Sequence, residues 1–195
     1  MFSIKNRKII IVVIIAIIMA LSVLYGIYPQ THSKTIYTSY YEYTVIISNV
    51  TNDFEILCPL PINGAGESYE NLTQEIIVRN GPATLHTIST ENGMALQISG
   101  KNQTLLEWKA TINSGESGEG FWNLSMTEFA SKWGYDGSAW VYSSLDGVFF
   151  KLFFNYTLSY EEDSVTYGHS FMYEGDGNLK MDWQQVPIKC SRVYT

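Results

Sequence analysis

The chain has 195 residues, of which 46% are hydrophobic, and twelve basic against nineteen acidic side chains give it a net charge of −7. All nineteen acidic residues but only nine basic ones follow residue 28, so that part of the chain has a net charge of −10. Because those basic residues are scattered singly, the composition argues against a nucleic-acid partner, which needs clustered Lys and Arg.

An uncharged run from Ile9 to Tyr28 directly follows Lys5, Arg7 and Lys8. As a helix it would be about 30 Å long, the thickness of the hydrocarbon core of a bilayer. The basic residues that precede it keep the N-terminus in the cytoplasm by the positive-inside rule. We therefore predict a cytoplasmic N-terminus over residues 1–8, a retained transmembrane anchor in the cell membrane over 9–28, a linker over 29–36 and an extracytoplasmic domain over 37–195.

A cleaved signal peptide is the alternative interpretation of this run. Ala20-Leu21-Ser22 places small residues at the positions that a signal peptidase inspects. The apolar run continues to Ile27, which is longer than a usual signal-peptide core and favours retention. Both interpretations place the remaining residues outside the cytoplasm.

Beyond the linker, apolar residues recur with the period of two that is typical of half-buried strands. The predicted strands are 37–47, 54–60, 76–79, 84–90, 94–99, 104–112, 148–160, 165–174, 179–186 and 188–194. We predict a hairpin between the first two strands and turns at 161–164 and 175–178. Because no helical period follows the anchor, the pattern predicts an all-β domain, an antiparallel two-sheet β-sandwich.

Two further features suit an exported domain. N-glycosylation sequons are candidates for modification at five asparagines, Asn49, Asn71, Asn102, Asn123 and Asn155. Cys58 and Cys190 are the only cysteines, and outside the cytoplasm they can be oxidised, so we predict one disulfide between them. Two buried free thiols are the alternative.

Catalytic and metal-binding motifs are missing from the sequence. The three histidines have no Cys or second His at metal-ligand spacing, so we predict no catalytic residue, cofactor or metal site. A hydrolase would need an acid/base pair that spacing does not reveal, such as Asp136 with Glu128 or Asp146.

The segment 127–140 is the most informative one after the anchor, and we interpret it as a long connection between strands. It contains Trp133, Tyr135 and Trp140 together with Asp136. Exposed aromatic rings of this kind suit stacking on sugars or on a protein partner, with Asp136 available for hydroxyl groups. If they are buried, they cap one end of the sandwich.

The strand Tyr43–Ile47, the Cys58-Pro59-Leu60-Pro61 segment and the Ile-rich start resemble uncharacterised archaeal membrane-anchored proteins with β-rich exported domains. That resemblance implies location and architecture, and no activity. The apolar start is also similar to archaeal pilin-like subunits, although Lys8 stands where their processing site has a small residue. We predict a surface-tethered, non-enzymatic module that binds an envelope protein or a glycan, with a pilin-like filament subunit or an extracytoplasmic hydrolase as the alternatives.

Overall fold

The computed structural model of the chain describes residues 36–115, 120, 123–129, 136–162 and 165–194. The predicted anchor at 9–28, the linker up to residue 35, Trp133 and Tyr135 lie outside these ranges. Within the described ranges, none of the helices has the length and apolar character needed to span a bilayer.

The described domain is all-β and antiparallel, as predicted. Its elements are β1 (Ile36–Ser48), β2 (Phe54–Cys58), β3 (Pro61–Ile62), α1 (Leu72–Glu75), β4 (Ile77–Arg79), β5 (Ala83–Thr90), β6 (Gly93–Gly100), β7 (Thr104–Gly115), β8 (Asn123–Leu124), β9 (Thr127–Phe129), β10 (Asp136–Ser143), β11 (Val148–Glu162), β12 (Val165–Leu179) and β13 (Asp182–Tyr194). Eleven of these strands form one sheet in the order β4-β7-β1-β11-β12-β13-β10-β2-β6-β5, with β9 beside β10. The remaining two, β3 and β8, pair with each other.

Strands β1 and β11 pair over thirteen residues without a register shift. Tyr43, Val45 and Ile47 alternate along β1 with half-buried residues, and all three are fully buried. Their partners on β11 include Phe154, opposite Tyr43, and Phe150, opposite Ile47. The long strand predicted at 148–160 therefore lies inside the sheet, with its apolar face on the core.

The sheet curls until its two edges lie close together. Strands β4 and β5 stand at opposite ends of the sheet order, yet only residues 80–82 connect them. Residues 101–103 likewise connect β6 to β7 across the same gap. Such connections reach about 13 Å at most, so the edges must meet. The predicted separation into two sheets is not confirmed, because the strands that enclose the core belong to one continuous sheet.

The segment around α1 closes the seam between these edges. Leu72 and Ile76 are buried in the main core, and α1 contacts β5. On the other side of the seam, Trp108 of β7 donates a hydrogen bond from Nε1 to Glu75 Oε2 at 2.9 Å. The ring of Tyr69 also lies 5.3 Å from the ring of Trp108, measured between centroids. This segment therefore joins the two edges.

Two local predictions are wrong. Strand β1 pairs with β7 and β11 and does not form a hairpin with β2, which pairs with β6 and β10. Residues 175–178 do not turn but continue β12 to Leu179, and β13 starts at Asp182. Gly175 is buried against β13, where an added Cβ would lie 2.7 Å from the carbonyl oxygen of Pro187. A glycine is needed at position 175 because the strands approach each other closely there, and not because the chain turns.

The predicted disulfide between Cys58 and Cys190 is not present, because both cysteines are free thiols. They lie on β2 and β13, and β10 separates these strands in the sheet. Two inter-strand spacings amount to about 9.6 Å, beyond the Cα separation of a disulfide. The buried Cys58 Sγ lies 3.7 Å from the hydroxyl oxygen of Tyr43, which also donates to the carbonyl of Pro59 at 2.6 Å.

We expect Gly175→Ala to lower the free energy of unfolding by about 1 to 3 kcal/mol, because its Cβ has no room beside Pro187. Gly177→Ala is the matched control on the same strand, since its Cβ would meet only Val186, at 3.9 Å. Chemical denaturation of both variants tests the close packing, and equal stabilities would contradict it.

Burial raises the pKa of the Cys58 thiol from 9.0 to about 12, and the hydrogen bond with Tyr43 lowers it in part. Between these values the unfolded chain loses its proton while the folded chain keeps it, so stability should fall as the pH rises from about 9 to 12. Cys58→Ala should make this decline shallower by up to about 1.4 kcal/mol per pH unit. Ile98→Val is the control, because it alters the core without removing a titrating group, and its stability should fall with pH as steeply as that of the wild type. The prediction is contradicted if the stability of Cys58→Ala also falls as steeply as that of the wild type.

Candidate functional site

A row of side chains crosses five neighbouring strands on the outer face of the sheet, the face opposite the main core. The pairing registers align one residue from each of β13, β10, β2, β6 and β5. We call this set the central row: Trp183, Tyr142, Leu57, Gln97 and His86. Because directly paired residues of an antiparallel sheet point to the same side, the five side chains share one surface.

A second row flanks the central row and carries further apolar side chains. Its members are Gln185, Trp140, Met126, Ala95 and Ile88. The apolar members of both rows form a cluster separate from the main core, in which Leu57, Ala95 and Met126 are buried. The three large rings remain only half-buried. We name the set Leu57, Met126, Trp140, Tyr142 and Trp183 the aromatic platform.

The third row lies on the other side of the central row and is polar: Ser144, Glu55, Ser99 and Thr84. Ser144 Oγ accepts a hydrogen bond from the backbone N–H of Glu55 at 2.7 Å. Beyond this row opens a cavity of about 370 Å³, lined by Thr84, Ser99 and the apolar Phe54 among others. The platform is therefore bordered by hydroxyl groups and by an open cavity.

Strand pairing and a carboxylate hold Trp140 in place. Trp140 lies in β10, opposite Gln185, and donates from Nε1 to Glu128 Oε1 at 3.1 Å. Glu128 Oε2 also accepts from Gln185 Nε2 at 3.3 Å. The prediction of a continuous loop over 127–140 is therefore wrong, because β9 and most of β10 lie within it. Asp136, the first residue of β10, is exposed.

Sequence reasoning found one side chain of the platform and missed its neighbours. Residues 139–142, Ala-Trp-Val-Tyr, form a continuous apolar run, which is typical of a strand with both faces covered. That run was the available signal for β10. The sequence around Trp183 does not indicate that this residue belongs to the platform, because its position there depends on the pairing of β13 with β10.

The platform offers hydrogen-bond acceptors and carries no permanent positive charge. The three rows, which lie wholly within the described residues, contain no Lys or Arg. The carboxylate within the three rows belongs to Glu55, whose Oε2 accepts a hydrogen bond from Gln97 Nε2 at 2.8 Å. Glu128, beside Trp140, adds a second carboxylate to the surface. Such a surface suits ligands with hydroxyl donors and repels polyanions.

The carboxylates considered for a hydrolase are only partly brought together. Glu128 pairs with Ser138, so Asp136 is its diagonal neighbour on the same face. Asp146 follows the opposite end of β10, where its Oδ1 accepts from the backbone N–H of Met181 at 2.7 Å. The structure therefore separates Asp146 from Asp136, at opposite ends of β10, and leaves Asp136 with Glu128 as neighbours.

The five sequon asparagines occupy two kinds of position. Asn49, Asn71 and Asn102 are exposed. The other two, Asn123 and Asn155, are half-buried and already hydrogen-bonded: Asn123 Oδ1 accepts from the backbone N–H of Leu124, and Asn155 Oδ1 accepts from a serine hydroxyl. The first three therefore have the more open surroundings for a glycan.

Independent indications of function are few. No group of three or more His, Cys, Asp or Glu side chains in the described part of the chain could hold a metal ion. Comparisons of the chain with protein-family models, curated proteins and solved structures find no match. The evidence on function is the geometry of the three rows.

We expect Glu128→Ala to shift the indole N–H proton resonance of Trp140 upfield, because the indole loses its carboxylate acceptor. Glu75→Ala is the reciprocal control, since Glu75 accepts from the indole of Trp108 and should move only that resonance. Nuclear magnetic resonance of the full chain, with Trp140→Phe to assign the signal, measures both shifts. A stationary Trp140 resonance in Glu128→Ala would contradict this geometry.

Proposed function

We propose that this protein is a surface-tethered, non-enzymatic module that binds glycans through the aromatic platform. The observation that carries the proposal is the placement of Trp140, Tyr142 and Trp183 on two hydrogen-bonded strands, on a surface bordered by amides, hydroxyls and carboxylates. Aromatic rings stack on the C–H faces of sugars, and polar neighbours bind the hydroxyl groups.

The tether in this proposal is the apolar run at 9–28, retained as a single-pass helix with residues 1–8 in the cytoplasm. The domain is then extracytoplasmic, where polysaccharides and glycosylated envelope proteins are available as partners. We also propose that opposite walls of the curled sheet pack as the two layers of a sandwich. The shared core, which includes Tyr43 of β1 and Ile56 of β2, supports this description.

The orientation of the rings favours a ligand with several units. The centroids of the Tyr142 and Trp183 rings are 5.7 Å apart, and their planes are inclined by 56°. One flat sugar cannot lie against both faces, so successive sugars of a twisted chain would each use one ring. Several weak stacking contacts then add up along one ligand.

The hydrogen bonds of Glu128 favour binding over hydrolysis. Its two oxygens accept from Trp140 Nε1 and from Gln185 Nε2, so the carboxylate orients parts of the platform. A general acid needs a carboxyl group that is directed at the scissile bond. The role that fits Glu128 is to hold the Trp140 ring in position.

We expect Trp183→Ala to weaken glycan binding about thirtyfold, equivalent to about 2 kcal/mol, because it removes one stacking surface. A glycan array probed with the full chain in detergent identifies the ligand, and calorimetry measures its affinity. Tyr167→Ala is the control, since Tyr167 is an exposed aromatic residue on β12, away from the three rows. An array without binding, or equal affinities of Trp183→Ala and the wild type, would refute the proposal.

A further inference from the structure

We infer that the glycan bound by the aromatic platform is cationic and carries protonated amino groups. The inference rests on the proposed function and adds the charge class of the ligand. The rings of Trp140, Tyr142 and Trp183 are half-buried on this surface, so part of each ring is accessible. Two carboxylates, those of Glu55 and Glu128, border the same surface, and the three rows, all within the described residues, contain no Lys or Arg.

The carboxylate of Glu55 lies within reach of a ligand on the Tyr142 ring. Tyr142 of β10 pairs with Leu57 of β2, and Glu55 stands two residues before Leu57 on the same face of that strand. Diagonal neighbours of this kind in an antiparallel pair are about 7 to 8 Å apart, a distance that long side chains bridge. An ammonium group that lies against the Tyr142 ring can therefore also contact Glu55.

The carboxylate of Glu128 lies at the edge of the Trp140 ring. Its Oε1 accepts from Trp140 Nε1 at 3.1 Å, and its Oε2 accepts from Gln185 Nε2 at 3.3 Å. Glu55 Oε2 likewise accepts from Gln97 Nε2. A carboxylate has about four lone-pair sites, so both glutamates retain the capacity to accept further hydrogen bonds. An ammonium group offers only donors, which complements this surface.

The platform differs in its ion pairs from the outer face of β1, β7 and β12. Glutamates on those three strands each have a basic partner: Glu42 has Lys109, Glu107 has Arg79 and Glu174 has Lys151. Within the described part of the chain, Glu55 and Glu128 bond to neutral amides and an indole and form no ion pair. Their charge is therefore available to a cationic ligand, which the net charge of −10 after residue 28 also attracts.

The aromatic rings add a contact that only a cation makes. A cation within about 6 Å of the centroid of a Trp or Tyr ring is attracted by the negative face of that ring. The centroids of the Tyr142 and Trp183 rings are 5.7 Å apart, so one ammonium group can lie within that distance of both. A protonated amino sugar therefore gains a contact that a neutral sugar of the same shape does not make.

The test is a glycan array that displays glucosamine and galactosamine oligosaccharides in two forms, with free amines and after N-acetylation. Acetylation removes the positive charge and leaves the rest of each sugar unchanged. The full chain in detergent should bind the free-amine form about tenfold more tightly than the acetylated form, as calorimetry on the bound oligosaccharide measures.

Glu55→Gln should reduce this preference to about twofold, because it removes the charge beside Tyr142 and keeps an oxygen that can accept from Gln97. Glu67→Gln is the matched control. Its Oε2 also accepts from a carboxamide, that of Asn63 at 3.1 Å, away from the three rows. Because both variants change the net charge by the same amount, Glu67→Gln should keep the wild-type preference if the contact with Glu55 is local.

The failure of this inference differs from the failure of the proposed function. Equal affinities for the two forms, or tighter binding of the acetylated form, overturn the cationic ligand while glycan binding stands. Trp183-dependent binding of neutral or acidic glycans alone has the same consequence. An equal loss of preference in Glu55→Gln and Glu67→Gln overturns the contact with Glu55 and attributes the preference to net charge. If no glycan binds at all, the proposed function itself is refuted.

Discussion

The contact between two short connections is the constraint on which this fold depends. Residues 80–82 and 101–103 both cross the seam between the sheet edges, and they pack on each other. A Cβ on Gly81 would lie 3.2 Å from the Cβ of Asn102 and equally close to the carbonyl oxygen of Gln103, so the glycine permits this approach. Once the edges meet, the eleven-stranded sheet surrounds most of the core. Alternate residues of β13, β10, β2, β6 and β5 must then face outward, which creates the surface of the platform.

Inside the curled sheet, a buried hydrogen bond connects two strands that are far apart in the sheet order. Tyr43 of β1 is fully buried, and its hydroxyl donates to the carbonyl oxygen of Pro59, just after β2. Strands β1 and β2 are five positions apart in the sheet, so this bond spans the interior. Desolvation raises the pKa of Tyr43 well above its ordinary value, which keeps the hydroxyl protonated and able to donate. Apolar side chains alone would also bury themselves in a core. The hydrogen bond from Tyr43 to Pro59 favours one alignment of β1 relative to β2.

The alternation of apolar residues was sufficient to predict most strands but not how they pair. Strands β1, β5, β6, β7 and β11 were found because each carries a clear period of two on a face that the core covers. Strand β10 was missed because we interpreted residues 127–140 as a connection between strands, and its inward face includes the small Ala139 and the polar Ser143. The neighbours of β2 in the sheet come from distant parts of the chain, and local sequence contains no information about such pairs. The aromatic platform could not be assembled without that pairing.

A binding surface built from five strands makes recognition a property of the whole fold. The strands that carry the central row come from residues 54–58, 83–90, 93–100, 136–143 and 182–194, so no isolated fragment of the chain can present it. A ligand that binds this row binds the folded state and not the unfolded chain. At a hundred times its Kd it would therefore stabilise the domain by about 2.7 kcal/mol.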